Sequence, residues 1–392
     1  MADRSVRPRT GVSGRANRRA SEYRDGVQPV PDLSAFSIEA MLDDLRMLVE
    51  VESPSLDLDA LAASAAMLSG IIERLLGSAP TIVDSPTGPH LHWRGEGDPR
   101  VLLIGHHDTV FPLGSLASRP FTVSAGQATG PGVFDMLGGI VQALHGLAAL
   151  QTLAGVEILI SADEEVGSLG SRALIEERAV ACGAVLVLEP SADGGLLKTG
   201  RKGVGTFDVT VHGRAAHAGL EPEKGINALI EASRQVLLIS EFGRADIGTT
   251  VTPTVAIAGT ADNTVPAEAR LKVDARVESA DEKERVESLM AALRPVDPAA
   301  TITVSGGIGR PPMPESASAT LMPIAELVMP GITGVAVGGG SDGNFTAALG
   351  IPTLDGLGAV GGGAHADTEH LVIATMPERA RLIAGLVAHL TA

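Results

Sequence analysis

Regular apolar patterning begins at Ser37, where SIEAMLDDLRMLVEV and LDALAASAAMLSGIIERLL repeat apolar residues at the spacing of two amphipathic helices. The first strong strand follows as the unbroken apolar run VLLIG, residues 101 to 105. It leads into HHDTVFP, a loop, the Gly-rich GPGVFDMLGG and the helical stretch IVQALHGLAALQTL. VEILISADEEVGS then reads as a β-branched strand ending in acids, RALIEERAVA as a helix and AVLVLEP as another buried strand. Strands alternating with helices predict an α/β unit with a doubly wound, mostly parallel sheet.

Beyond about residue 200 the period changes to two. TFDVTVHG, TVTPTVAIAGT, ARLKVDARVE and ATITVSGG alternate apolar and polar positions, with GINALIEASRQVLLI and DEKERVESLMAAL as helices between them. This predicts an α+β unit, an antiparallel sheet carrying two helices on one face. From about Met313 helix, buried strand and Gly-rich loop return, ending in MPERARLIAGLVAHL. The expected organisation is a tail over residues 1–34, a first domain in two pieces, 35–202 and 312–392, and a second domain inserted at 203–311. The first 26 residues hold seven Arg and no apolar run long enough for a signal-peptide core. They read as a disordered basic tail, with an interaction arm or transit peptide as the alternative.

Composition narrows the partners. At 392 residues with 44% hydrophobic and 20% charged positions, the chain has material for a large core. Aromatics are 2% and the formal charge is -17, which argues against stacked single strands and against a phosphate backbone, so no nucleic-acid partner is expected. A single Cys, Cys182, leaves no disulfide framework and no thiolate zinc site, and points to a reducing, cytoplasmic setting. No uninterrupted apolar stretch reaches about 18 residues, so no membrane span is expected. Any metal site must be built from His and carboxylate.

In an open α/β sheet, ligands bind beyond the carboxyl ends of the strands. Here VLLIG ends in His106, His107 and Asp108, VEILISA ends in Asp163, Glu164 and Glu165, and AVLVL ends in Glu189. Asp135 sits in a Gly-rich turn before a helix, and His365 in the loop GLGAVGGGAHAD after the expected strand IPTLDG. Singly, each of these is an ordinary polar residue at a strand end or turn. Together, carboxylates beside apolar strands are costly unless a cation offsets them, and imidazole with carboxylate suits zinc or its neighbours, a carboxylate being able to bridge two ions.

The motifs HHDTV, GPGVFDMLGG, SADEEVGSLGSR, VLEP, GRAAHAG, DNTVP, GGGSDGN and GGGAHAD follow in this order between residues 106 and 367, within a resemblance that covers roughly residues 35 to 392. They resemble the zinc metallopeptidase and deacylase family of glutamate carboxypeptidase, acetylornithine deacetylase and succinyl-diaminopimelate desuccinylase, and above all its glutamate carboxypeptidase branch. The resemblance implies two Zn2+ per subunit, replaceable by Co2+ or Mn2+, with His106 and Glu189 on one, Glu165 and His365 on the other and Asp135 bridging. Glu164 would be the base that takes a proton from the attacking water and passes it to the departing amine. Asp108 would hold the His106 imidazole in its ligating tautomer, and His107 would be structural. The inserted domain would be a lid and dimerisation domain of a homodimer. His217 and Asn263 would contact substrate, His217 as an oxyanion donor, in trans if it reaches the neighbouring subunit. Arg276 in VDAR would bind the substrate carboxylate, with Arg310 in GRPP as a further substrate-binding candidate.

The implied substrate is a small peptide or N-acyl amino acid, cleaved at an amide next to a free carboxylate. The carboxypeptidase branch implies release of a C-terminal acidic residue such as glutamate. An N-acyl amino acid deacylase is the alternative that the motifs do not separate, and a non-catalytic binding protein on the same fold is a third, disfavoured by the complete ligand set. Leu137 stands where the family usually carries Lys. GLGAVG, residues 356 to 361, matches GxGxxG but opens no helix within an N-terminal strand-helix-strand unit, so a nucleotide site is not expected.

Overall fold

The computed structural model describes residues 27–392, and the greater part of the expected basic tail lies outside the described residues. The remainder of that tail is packed, so its expected end at residue 34 is too late. The Gln28 amide donates to the Thr152 carbonyl at 3.0 Å and accepts from the backbone N–H groups of Gln151 and Thr152 at 3.0 and 3.2 Å, while Val30 lies against the core.

The helix Ile38–Val49 starts where Ser37 Oγ accepts from the Ala40 N–H, and Leu58–Leu76 starts where the Asp57 carboxylate accepts from the Ala60 N–H. The central sheet has six strands, in the order Thr81–Val83, His90–Arg94, Val156–Ser161, Val101–His106, Val185–Val187, Thr353–Leu354. The last four run parallel, and the first two form an antiparallel hairpin joined antiparallel to Val156–Ser161. The sheet is therefore mixed, and the hairpin is the addition to the expected parallel arrangement. Both faces of the parallel part are covered: Leu102 and Ile104 pack on Ile175 and Ala179, while Val101 and Leu103 join the core with helices Ile38–Val49, Gly138–Ala148 and Met376–Leu390. Burial on both faces explains why these strands read as unbroken apolar runs.

A second sheet, entirely antiparallel, has the order Thr250–Ala258, Glu268–Val277, Gly203–His212, Thr301–Arg310. Helices Ala228–Ser240 and Ala280–Ala291 cover one face, where Phe207, Val209, Leu271 and Val273 meet Ala232, Ile239, Val286 and Met290. Thr250–Ala258 is a free edge. Two smaller pieces complete the fold: the parallel pair Leu197–Arg201 and Gly334–Val337, and a sheet of Thr122–Ser124, Gln127–Thr129, His370–Val372 and Gly361–Gly362. The latter ties the chain just before Asp135 to the chain just after His365. Among the described residues, no helix is long and apolar enough to cross a membrane.

Candidate metal centre

Each parallel strand delivers its last residues to one rim of the sheet. His106 closes Val101–His106, and its Nδ1 lies 2.9 Å from the Asp108 carbonyl, so the ring donates there and turns Nε2 into the site. That Nε2 is 3.4 Å from Asp135 Oδ1 and 3.6 Å from Glu189 Oε1. Asp135 comes from the turn Val133–Leu137, ahead of the helix Gly138–Ala148. Its Oδ2 faces His365 Nε2 at 3.4 Å, and that nitrogen is 3.1 Å from Glu165 Oε1. Two triplets result, His106–Asp135–Glu189 and Asp135–Glu165–His365, each with ligand atoms within 4.8 Å of one another and with Asp135 in both. The five expected ligands are thus brought together.

These residues fit a pair of cations. His106 Nε2 and Asp135 Oδ1 are buried and face each other without a hydrogen bond, which leaves two lone-pair donors for an ion to satisfy. Two imidazoles and three carboxylates without a thiolate suit zinc and similar divalent ions. Burial alone would lower the His106 imidazole, but Asp108, Asp135 and Glu189 overcome it and hold the ring well above its ordinary range. Hydrogen bonds to Asp135 and Glu165 raise His365 to about 10. Burial likewise pushes the Glu164 carboxyl well up, against the pull of Arg310.

The neighbours Glu164 and Glu165 diverge on the short turn Glu164–Val166. Asp108 anchors that turn: its Oδ1 accepts from the Glu164 N–H at 3.1 Å, and its Oδ2 from the Glu165 N–H at 3.2 Å and Ser55 Oγ at 2.7 Å. The expected tautomer-fixing contact is therefore made by the Asp108 carbonyl, while its carboxylate is 3.5 Å from the imidazole. His107 is a buried neutral ring, lowered to about 4 by burial, with Nδ1 at 3.0 Å from Ser64 Oγ and Nε2 at 3.1 Å from the Pro89 carbonyl.

The substrate candidates are distributed differently. Arg310, only 9% exposed, donates to Asp342 Oδ1 at 2.9 Å, to the Glu164 carbonyl at 2.9 Å and to Ser168 Oγ at 3.0 Å, and pairs with Glu164 Oε1 at 3.0 Å. Its guanidinium is engaged within the chain. Arg276 makes a two-pronged contact with Asp274, 3.0 Å at each bond. His217 Nδ1 accepts from the N–H groups of Gly219 and Leu220 at 3.1 and 3.2 Å, which places the ring proton on Nε2 as a donor. The Ala218 N–H bonds the Asn263 carbonyl at 2.8 Å, so the two motifs lie side by side. Among the described residues, none of His217, Asn263 and Arg276 bonds to the five-residue cluster.

Two supporting residues escaped the sequence reading. Buried Arg201 places its Nη2 at 3.3 Å from Glu189 Oε2 and holds Asp355 through two further bonds of 2.6 and 3.0 Å. Buried Glu369 accepts from the N–H groups of Phe134 and Asp135 at 2.9 Å each and of Gly132 at 3.2 Å. An acid four residues after His365 was the only sequence signal for it. The glycines of GLGAVG serve packing: the Gly358 N–H bonds the Glu189 carbonyl at 2.9 Å, and a Cβ there would lie 2.2 Å from the Leu188 carbonyl oxygen.

A sequence profile described as Peptidase family M20/M25/M40 matches residues 102–389. The chain is 32% identical over 381 residues to carboxypeptidase G2 of Pseudomonas sp. (strain RS-16), covering 90% of each chain. It is 29% identical over 214 residues to acetylornithine deacetylase of Myxococcus xanthus, covering 51% of this chain and 55% of that one. A solved structure described as a dinuclear metal binding peptidase of Bacillus subtilis aligns with a TM-score of 0.62 at 16% identity, covering 92% of this chain and 99% of that chain.

Proposed function

The chain belongs to peptidase family M20/M25/M40, and from that premise we propose a two-metal amidohydrolase of carboxypeptidase type. It cleaves an amide next to a free carboxylate, releasing a C-terminal acidic residue such as glutamate. The observation that carries this reading is the pair of triplets sharing Asp135, with Glu164 beside them and not consumed as a ligand. Likeness to carboxypeptidase G2 over 90% of both chains supports the carboxypeptidase form. The shorter likeness to acetylornithine deacetylase supports the second reading, an N-acyl amino acid deacylase using the same centre.

His106 and Glu189 would hold one Zn2+, Glu165 and His365 the other, and Asp135 both. Bound zinc lowers the pKa of water to about 7 and polarises a carbonyl oxygen. Glu164 supplies the proton path: a buried carboxylate with a raised pKa takes the proton from the attacking water and returns it to the leaving amine. Asp108 keeps Glu164 and Glu165 apart by holding both backbone N–H groups. His217 presents its Nε2–H to the developing oxyanion, with Asn263 adjacent, and Arg276 takes the substrate carboxylate in exchange for Asp274. Arg310 holds Glu164 and Asp342 instead of meeting substrate.

The inserted domain forms a homodimer through its free edge. Val255 and Ile257 on the uncovered face of that strand, and Leu237, at 70% exposure, on the adjoining helix, are exposed apolar side chains that a second copy would cover. The lone, buried Cys182 accords with a cytoplasmic enzyme.

The test is metal analysis joined to a panel of dipeptides and N-acyl amino acids. Two ions per subunit and hydrolysis abolished by chelation are expected. Glu164→Gln should keep both ions and lose about 100-fold to 10,000-fold in kcat. Full activity with metal shown to be absent would overturn the proposal.

A further inference from the structure

The two halves of the centre are supported unequally. His106 is buried, with Nδ1 fixed by the Asp108 carbonyl, and Glu189 leans on Arg201 through its second oxygen. His365 has 51% of its side chain exposed and sits at a positive φ of 63° in a loop. Among the described residues, its ring bonds only to Asp135 and Glu165, both of them through Nε2. A metal-ligating imidazole usually donates its other nitrogen to a fixing partner, and His365 has none of that kind. Its position must come from the loop that carries it.

Four residues on, Glu369 is 1% exposed and makes no ion pair among the described residues. Its Oε1 accepts from the N–H groups of Phe134 and Asp135 and its Oε2 from that of Gly132, so one carboxylate is spread over the turn that delivers Asp135. Behind it, His370–Val372 pairs with Gln127–Thr129. A buried carboxylate without a cation is expensive to keep for packing alone. Here it joins the two loops that bring the bridging carboxylate and the least supported ligand to the same point.

We propose that Glu369 is the positioning residue of the His365 half, clamping the Asp135 turn to the His365 loop so that the second ion finds its donors already in place. The inference rests on the two-metal reading above. Asp135 serves both ions, but His106 and Glu189 have supports of their own whereas His365 depends on its loop, so loss of Glu369 should weaken the His365 ion much more than the other.

The experiment compares wild type, Glu369→Gln and Glu369→Ala after metal removal. Each is titrated with Co2+ by its visible absorption and by competition with a chelating dye. Wild type should take up two ions. In Glu369→Gln one step should stay at the wild-type affinity and the other weaken about 10-fold to 100-fold, the usual cost of losing an outer partner of a metal ligand. In a His365→Ala background, adding Glu369→Gln should leave the remaining step unchanged. Two wild-type steps in both Glu369 variants, or both steps weakened alike, would overturn the proposal, the latter by showing general loosening. Thermal unfolding of the metal-free proteins verifies the fold, and if Glu369→Ala does not fold, the near-isosteric Gln variant decides alone. A wild type that binds fewer than two ions refutes the two-metal reading itself, which is a separate outcome.

Discussion

Replacing Arg310 by Met keeps an apolar stem beside the Phe345 ring, whose centroid lies 5.0 Å from the guanidinium carbon, and deletes the charge. Asp342, 4% exposed, then retains the hydroxyls of Ser168 and Ser161 but loses its cation. Glu164 loses its ion pair at 3.0 Å, and its carbonyl loses a donor. Side-chain exposures of 10% and 12% for one pair, and 10% and 6% for the other, put both well inside the protein. Breaking a buried pair from one side costs about 3–5 kcal/mol, against about 0–1 for a surface pair. The lower end applies, because burial has already raised the carboxyls of Glu164 and Asp342 and either can relieve the unpaired charge by taking a proton. We expect a loss of about 3 kcal/mol, smaller than additive when Asp342→Asn is combined with it. Trp93, the single Trp, is buried in His90–Arg94 and reports urea unfolding of the central sheet in chelated protein. kcat should fall more than KM rises. A stability loss under about 1 kcal/mol would show that the pairs are not mutually stabilising. A change confined to KM would return Arg310 to substrate binding.

Two further outcomes follow from the same geometry. His365 is raised to about 10, so near pH 8 it carries a proton that ligation must remove. Metal uptake should release at least that proton, and affinity should climb with pH towards 10; calorimetry in buffers of different ionisation enthalpy measures it, and zero release would refute the assignment. Leu237→Glu combined with Ile257→Glu should yield monomers by light scattering with the fold intact, whereas a dimer unaffected by both charges would place the interface elsewhere.

The parts of this fold legible in the sequence are those with strong local patterning. Val101–His106 is buried along its whole length and reads as a run, and the inserted strands alternate because one face is covered and the other wet. The hairpin Thr81–Val83 and His90–Arg94 is not legible: three and five residues, two of them His, pair only because Val156–Ser161 presents an edge. The five ligands stand out because each follows a strand or lies in a Gly-rich loop. Their supports do not. Glu369 acts on backbone N–H groups 234 to 237 residues away, and Arg201 serves Asp355 across 154 residues, distances over which spacing carries no signal. Asp108 was found by its place beside His106, yet its carboxylate does its work on the Glu164 turn, a partner that only the folded chain supplies.

The unequal exposure of the ligands also sets the direction of approach. His106 is 1% exposed, paired with Ser161 on one side and covered by Met136, whose sulfur accepts its backbone N–H at 3.3 Å. His365 is half exposed, and in the proposed reaction the substrate carbonyl would enter on its side. Arg310 lies at the end of the last inserted strand, where the chain returns to the catalytic unit, and it grips Glu164 there. Arg310 ties the proposed base to the inserted segment, beside the Arg172–Gly309 and Lys202–Glu278 contacts, and of these it alone touches Glu164, which is why removing that charge is expected to register in kcat before it registers in KM.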